Sequence, residues 1–264
     1  MTKHCRRLFV AIALPLALQA GAADDDEDTL YQVSTIDALL AGVYQGVAAI
    51  SDVLPHGDFG LGTFAALDGE LILLDGIVYQ AAADGQVNEM PATTRTPFIS
   101  VTHFEADQRL TPPPGQDYAA FKTWLEAQLP SRNIAYAVRV EGSFARMTYR
   151  SVPRQQQPYP PLLEASKQQR VFQQDQISGT LIGFWCPTFT KGLNVPGFHL
   201  HFLSADHAHA GHVLDFELTQ GQLALDPTNG WQVELPMSPA FLETDLGQDR
   251  SAALHHVEQR KSGR

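Results

Sequence analysis

Hydrophobic residues recur along this chain with two different periods. Near the start they fall at Ile36, Leu39, Leu40, Val43 and Tyr44, the three- and four-residue spacing of one helix face. Ser34 or Thr35 can cap that helix, and Gly42 and Gly46 weaken its far end. The stretch His56-Gly57-Asp58-Phe59-Gly60-Leu61-Gly62 is turn-rich and predicts no regular element. Three Asp-Gly pairs follow, Asp68-Gly69, Asp75-Gly76 and Asp84-Gly85, separated by short runs of strand formers. Asp-Gly between such runs favours tight hairpin turns. A β-meander is therefore expected over 63–87, with a further strand over 98–104.

After Pro112-Pro113-Pro114-Gly115 the period changes again. Asp117 is placed to cap a helix carrying Phe121, Trp124, Leu125 and Leu129. Strands are expected over 134–140 and 144–149, then a Pro/Gln-rich irregular stretch over 152–163 and a short helix over 164–172. The last strong strands are expected over 180–185, 198–203 and 212–218. The pattern is mixed α and β of the α+β type, a two-part mixed β-sheet structure with few helices. Strand and helix do not alternate regularly and no Gly-rich phosphate loop sits in the right context, which argues against a doubly wound nucleotide fold. Residues 23–140 are expected to form an N-terminal mixed-sheet part and 141–264 a C-terminal α/β part.

The first 22 residues are read as a signal peptide. Lys3, Arg6 and Arg7 form a basic region, Leu8 to Leu18 an apolar core, and Ala20-Gly21-Ala22 a small-residue cleavage site. The apolar run is shorter than the roughly 20 residues that span a bilayer. Cleavage near Ala22 or Ala23 predicts a periplasmic or secreted protein. It removes those three positive charges and takes the formal net charge from -11 to -14. Such a chain repels nucleic acid and anionic lipid, so neither is expected as a partner. The acidic run from Asp24 to Asp28 reads as a solvated leader. Cys186 is then the single remaining cysteine; with no partner for a disulfide, it reads as a small buried residue.

Candidate chemistry concentrates in Gly197-Phe198-His199-Leu200-His201-Phe202-Leu203. Side chains alternate across a strand, so His199 and His201 share a face. His212 opens the next predicted strand, and an antiparallel return would bring it beside them. Three neutral imidazoles suit zinc with its fourth position open, the usual catalytic arrangement. His207 and His209 are alternative ligands, but they lie in a loop and read as exposed. Glu70 opens an otherwise apolar strand, so it is either solvated at a rim or aimed into a site. Arg150 ends a strand, and it is either a surface ion pair or a carboxylate clamp. By inventory the set fits a zinc hydrolase with a metal-activated water, or a non-catalytic zinc-binding export protein, as well as other zinc chemistry.

Longer blocks carry a resemblance. They are Gln32 to Gly42, His56 to Phe64, Leu67-Asp68-Gly69-Glu70-Leu71, Arg150-Ser151-Val152-Pro153, Pro158-Tyr159-Pro160-Pro161-Leu162, and Asn194 to Leu203. Together they resemble the α-acetolactate decarboxylase family across nearly all of residues 31–218. The resemblance implies zinc on His199, His201 and His212, an active-site glutamate at Glu70, an arginine at Arg150 and a pocket threonine at Thr63. It places a second acidic group in the C-terminal tail, where Glu258 is the best match. It further implies a two-part fold, usually a homodimer, and conversion of 2-acetolactate to acetoin and carbon dioxide through an enediolate protonated on one face.

Overall fold

The computed structural model describes residues 28–259. The expected signal peptide and the leader up to Glu27 lie outside the described residues. No helix among those described is long and apolar enough to cross a membrane.

The strands of the first sheet are β1 (Thr29–Val33), β3 (Phe59–Thr63), β4 (Glu70–Leu74), β5 (Ile77–Ala81), β6 (Val87–Glu89), β8 (Phe98–Thr102) and β15 (Gly230–Glu234), in the order β15-β1-β8-β3-β4-β5-β6. Two short strands, β2 (Ala48–Ala49) and β7 (Arg95–Thr96), pair with each other beside it. The expected meander is there. At Asp75-Gly76 both residues have positive φ, 51° and 78°, and Leu74 pairs with Ile77 across the turn, as a two-residue type I′ hairpin requires. The meander starts earlier than the sequence suggested. The stretch read as turns contains β3, because Gly60 and Gly62 lie hard against β8. A Cβ built on Gly60 would stand 2.2 Å from Ser100 O. The glycines mark close approach of a neighbouring strand and not a break in this one.

The second sheet is built from β9 (Gln108–Leu110), β10 (Gln116–Asp117), β11 (Ala135–Ser151), β12 (Arg170–Cys186), β13 (Gly197–Ser204) and β14 (Ala210–Thr228). β14 pairs with β11, β11 with β12, β12 with β13, and β13 again with the start of β14. The four strands therefore close a ring. Three are 17 to 19 residues long, and the two strands expected over 134–140 and 144–149 are one, β11. The helix expected over 164–172 is a single turn, α4 (Leu162–Ala165), followed by a 3-10 turn, and Arg170 already begins β12. Gly142 faces Gly179 on one side and Gly221 on the other. At Gly179 a Cβ would meet Leu203 O at 2.3 Å. This row of three glycines lets long strands bend together. Glu141, the expected boundary between the two parts, sits next to it within β11.

Helices fill the gaps between and outside the sheets. Thr35 caps α1 (Ile36–Leu40), accepting from Ala38 N at 3.1 Å, and Gly42 at φ 97° ends the run. Val43 and Tyr44 remain buried although the helix has stopped. Asp117 caps α3 (Tyr118–Gln128) by accepting from Ala120 N at 2.8 Å. Phe121 and Leu125 of α3 pack with Tyr136, Val138, Leu200 and Phe202 on one face of the ring strands, each contributing about 1.5–3 kcal/mol by burial. The opposite face, with Ala135, Ala137, Ile182 and Phe184, meets Leu30, Phe59, Leu61 and Ile72 of the first sheet. A third cluster joins α1, α4 and the C-terminal α6 (Ser251–Gln259) through Ile36, Leu39, Leu162, Leu254 and Val257. The two smallest helices are α2 (Ile50–Val53) and α5 (Pro239–Glu243). Cys186 is buried and free, as expected, and burial raises its thiol pKa.

One buried acid gives a stability prediction. Asp226 on β14 is 1% exposed and its carboxyl is raised to about 7, first by burial and then by Asp28, Asp107 and Glu105, against one hydrogen bond from Glu105 N. Its unfolded value is about 3.9. Its contribution is thus full below that value and is lost as pH rises through 7. Asp226→Asn should raise Tm at pH 8, by roughly 2–4 °C for each kcal/mol recovered, and should gain nothing at pH 4. Thermal unfolding at the two pH values decides it; an equal change at both would show that ionisation of Asp226 is not the cause.

Candidate active site

Strand alternation and register build the site. On β13, Leu200 and Phe202 face the α3 core, so His199 and His201 face the first sheet. β14 pairs His212 with His201 on one side and with Arg150 of β11 on the other. Closure of the ring is what makes both pairings possible at once. The three imidazoles are buried, at 8%, 0% and 2% exposure. Their ring centroids are 5.1–5.5 Å apart, and one nitrogen of each lies within 4.8 Å of the others.

Three buried ring nitrogens, His199 Nδ1, His201 Nε2 and His212 Nδ1, have no hydrogen-bond partner among the described residues. His201 Nδ1 lies 2.9 Å from Leu71 O. A carbonyl can only accept, so Nδ1 carries the proton, and on a neutral ring Nε2 keeps its lone pair. Burial is the largest cause lowering all three pKa values, with the Arg150 charge adding to it. His199 is brought down to about 3 and the other two well below their ordinary range. Three buried neutral imidazoles, each with a nitrogen within 4.8 Å of the others, could hold a metal ion. His207 and His209 do not join it. His207 is exposed against the edge of Tyr79, and His209 Nδ1 is 3.2 Å from Tyr149 OH.

Histidines held neutral also set how the metal-free protein responds to acid. An unfolded histidine takes up a proton near pH 6.5, and these three do so far lower. The histidines' own contribution to stability therefore falls as pH drops below 6.5, by up to about 1.4 kcal/mol per unit for each, against the opposite contribution of the raised carboxyls. In the chelated protein, the Tm of His199→Gln relative to the parent should rise as pH is lowered from 7 to 5, because the variant no longer carries that cost. Identical slopes for parent and variant would count against a neutral buried His199.

The carboxylates and Arg150 close the site. Thr63 and Glu70 face each other across β3 and β4. Arg150 Nη1 donates to Glu70 Oε1 at 2.8 Å, a buried pair, while Arg150 Nε has no partner among the described residues. Glu70 Oε2 is 3.8 Å from His201 Nε2. Glu258, on α6, puts Oε2 3.6 Å from His212 Nε2. Burial raises both carboxyls to about 7; Arg150 pulls both down, and Glu258 pushes Glu70 up further. Thr63 Oγ1 donates to Gly69 O at 2.7 Å, so its proton is committed and its oxygen can only accept. Thr63, Glu70, Arg150, His199 and Glu258 all line one small cavity of about 30 Å³. Thr63, Glu70, Arg150, His199, His201, His212 and Glu258 thus meet at one place, and His207 and His209 stay outside it. The Leu71 carbonyl, a backbone group, and α6, whose sequence is weakly patterned, carry no signal that sequence reasoning could read.

The family model for α-acetolactate decarboxylase matches residues 30–248. The α-acetolactate decarboxylase of Methanosarcina mazei is 46% identical over 90% of this chain and 82% of that protein. That of Methylococcus capsulatus is 41% identical over 88% of this chain and 90% of its own. The crystal structure of the Bacillus subtilis strain 168 enzyme superposes with a TM-score of 0.85 at 35% identity, covering 88% of this chain and all of that one. α6 and Glu258 lie beyond the matched 30–248 segment.

Proposed function

Since this chain belongs to the α-acetolactate decarboxylase family and converts 2-acetolactate to acetoin and carbon dioxide, we propose that it does so with a zinc ion held by His199, His201 and His212. The observation that carries the proposal is the set of three partnerless buried imidazole nitrogens beside the Glu70–Arg150 pair. When bound, the cation supplies Lewis-acid attraction for the negative charge that develops as carbon dioxide leaves. Neutral ligands leave that charge undiminished.

The chain's own groups do the rest. Arg150 Nε is the free buried donor, placed to hold the substrate carboxylate while Nη1 stays on Glu70. Loss of carbon dioxide from a carboxylate leaves an enediolate, which must take up one proton to become acetoin. Glu70 is the proton donor to one face of that carbon, and Glu258, which lines the same cavity, assists. Both carboxyls line the cavity or lie beside the imidazoles, Glu70 Oε2 3.8 Å from His201 Nε2 and Glu258 Oε2 3.6 Å from His212 Nε2, within reach of a substrate held there. A donor fixed on a strand protonates one face and yields one enantiomer. The walls of so small a cavity exclude bulk water, which would otherwise compete as an acid.

The test is gas release and acetoin formation from racemic 2-acetolactate, before and after chelation, with zinc, cobalt and magnesium each added back. Zinc should restore activity and magnesium should not, because imidazole ligands disfavour so hard an ion. Full turnover by protein shown to be metal-free would overturn the reading. We also propose that the protein is exported and acts as a homodimer. An intact mass starting at Ala23 or Asp24, and twice the chain mass by light scattering, are the expected results.

A further inference from the structure

Glu70 is the first residue of β4, and the ladder ends with it on both sides: it pairs with Thr63 of β3 and with Ala81 of β5. Strand ends open more readily than strand interiors, so the placement of its side chain depends on the loop before it, residues 64–69. That loop is strained. Ala66 and Leu67 both hold left-handed backbone, at φ 65° and 56°, a conformation that a Cβ disfavours. Two such residues in succession persist only where their surroundings over-determine them. We propose that Gln80 is a positioning residue for Glu70: by holding the carbonyl of Asp68 it keeps this loop in its strained shape and fixes where the Glu70 carboxyl stands in the cavity.

The other ties on the loop run from backbone to backbone. Ala66 N donates to Tyr44 O at 2.8 Å, Gln155 N donates to Ala66 O at 2.8 Å, and Gly69 N donates to Val152 O at 3.1 Å. The Asp68 carbonyl, two residues before Glu70, is held by a side chain instead: Gln80 Nε2 donates to it at 2.8 Å. At Gly69, φ 84°, a Cβ would stand 2.4 Å from Ala81 O. The loop is thereby pressed onto β5, within reach of Gln80.

Gln80 acts from behind the sheet. Its cross-strand partner is Leu71, and cross-strand partners share a face. Leu71 lies with Leu73 and Val78 in the core on the face away from the ring, whereas Glu70, one residue back, lines the cavity. Gln80 therefore does not touch the substrate. Its carboxamide is locked as well: Asn88 Nδ2 donates to Gln80 Oε1 at 3.3 Å, which turns Nε2 to the loop. An amide donates and accepts at once, and this site uses both.

The inference rests on the reading of Glu70 as proton donor, and a double-mutant cycle separates the two. Gln80→Met keeps the length and removes the donor. It should lower kcat on 2-acetolactate by roughly 10²-fold, the scale of a small misplacement of a catalytic group. KM and metal content should not change, and the acetoin should lose enantiomeric purity. Asn88→Ala should shift kcat and purity the same way by less, and it serves if Gln80→Met does not fold. In the Glu70→Gln background, Gln80→Met should cost nothing further, because residues that act through one another are not additive. Parental kcat and purity in the metal-replete single variants would overturn the proposal. So would an equal fall in both backgrounds, which is what a merely structural role predicts. Parental rate and purity in Glu70→Gln itself would instead overturn the donor reading, and this inference with it.

Discussion

His212→Ala is expected to abolish bound metal and acetoin formation together, whereas His209→Ala, three residues away, is expected to preserve both. The contrast follows from register. His212 is clamped between His201 and Arg150 by two strands at once, so its ring is held where the other two imidazoles point. His209 lies in the loop before β14 and is held by Tyr149 OH. Two remaining imidazoles cannot fill the three protein positions of a catalytic zinc site. They would also leave Arg150 facing a cavity that no longer holds a second cation. Activity should fall by several orders of magnitude, with metal content near zero by elemental analysis. Full metal in His212→Ala beside loss in His209→Ala would move the third ligand into the loop.

Glu70→Gln carries the second large effect. Gln keeps the shape and can still accept from Arg150 Nη1, which now donates to Glu70 at 2.8 Å, but it cannot deliver a proton. Turnover should fall by roughly 10²- to 10⁴-fold, the range for removing a general acid–base group. Metal should remain if, as proposed, the three imidazoles alone hold it. The residual acetoin should be less enantiomerically pure, since water can then protonate either face. Chiral chromatography beside metal analysis reads both. The 3.8 Å between Glu70 Oε2 and His201 Nε2 makes the metal measurement decisive: a Glu70→Gln protein that has lost its metal would make Glu70 a ligand. Near-normal rate and purity would pass the donor role to Glu258.

What could be read from the sequence depended on whether the cause was local. Asp75-Gly76 and Asp117 act on their immediate neighbours, and the hairpin and capped helix they predict are present. His199 and His201 share a face because a strand alternates, and no further information is needed. Tertiary causes were invisible. Gly60 and Gly62 look like turn residues until β8 is beside them. Gly142 looks like a break between two strands until Gly179 and Gly221 are known to flank it. The segment 164–172 has helix-forming residues, yet Arg170 to Phe172 pair with Tyr149 to Ser151 because the growing sheet offers them partners. Glu258 could be placed only through family resemblance, because its helix is short and owes its position to Leu254 and Val257 packing under α1 and α4.

The parallel pairing of β1 with β15 has a consequence for the order of events during synthesis. Tyr31 of β1 hydrogen-bonds Glu234 of β15, 203 residues further along. The second sheet closes only when β14 arrives to lie against both β11 and β13. A ribosome that has made β13 has therefore released a chain in which neither sheet is complete and the two finished histidines stand on an open edge. Folding dominated by such distant pairings is slow, on the order of milliseconds to seconds, and exposes strand edges meanwhile. Stalled nascent chains ending before Ala210 should be cleaved readily by protease, and resistance should appear abruptly once β14 and β15 have emerged.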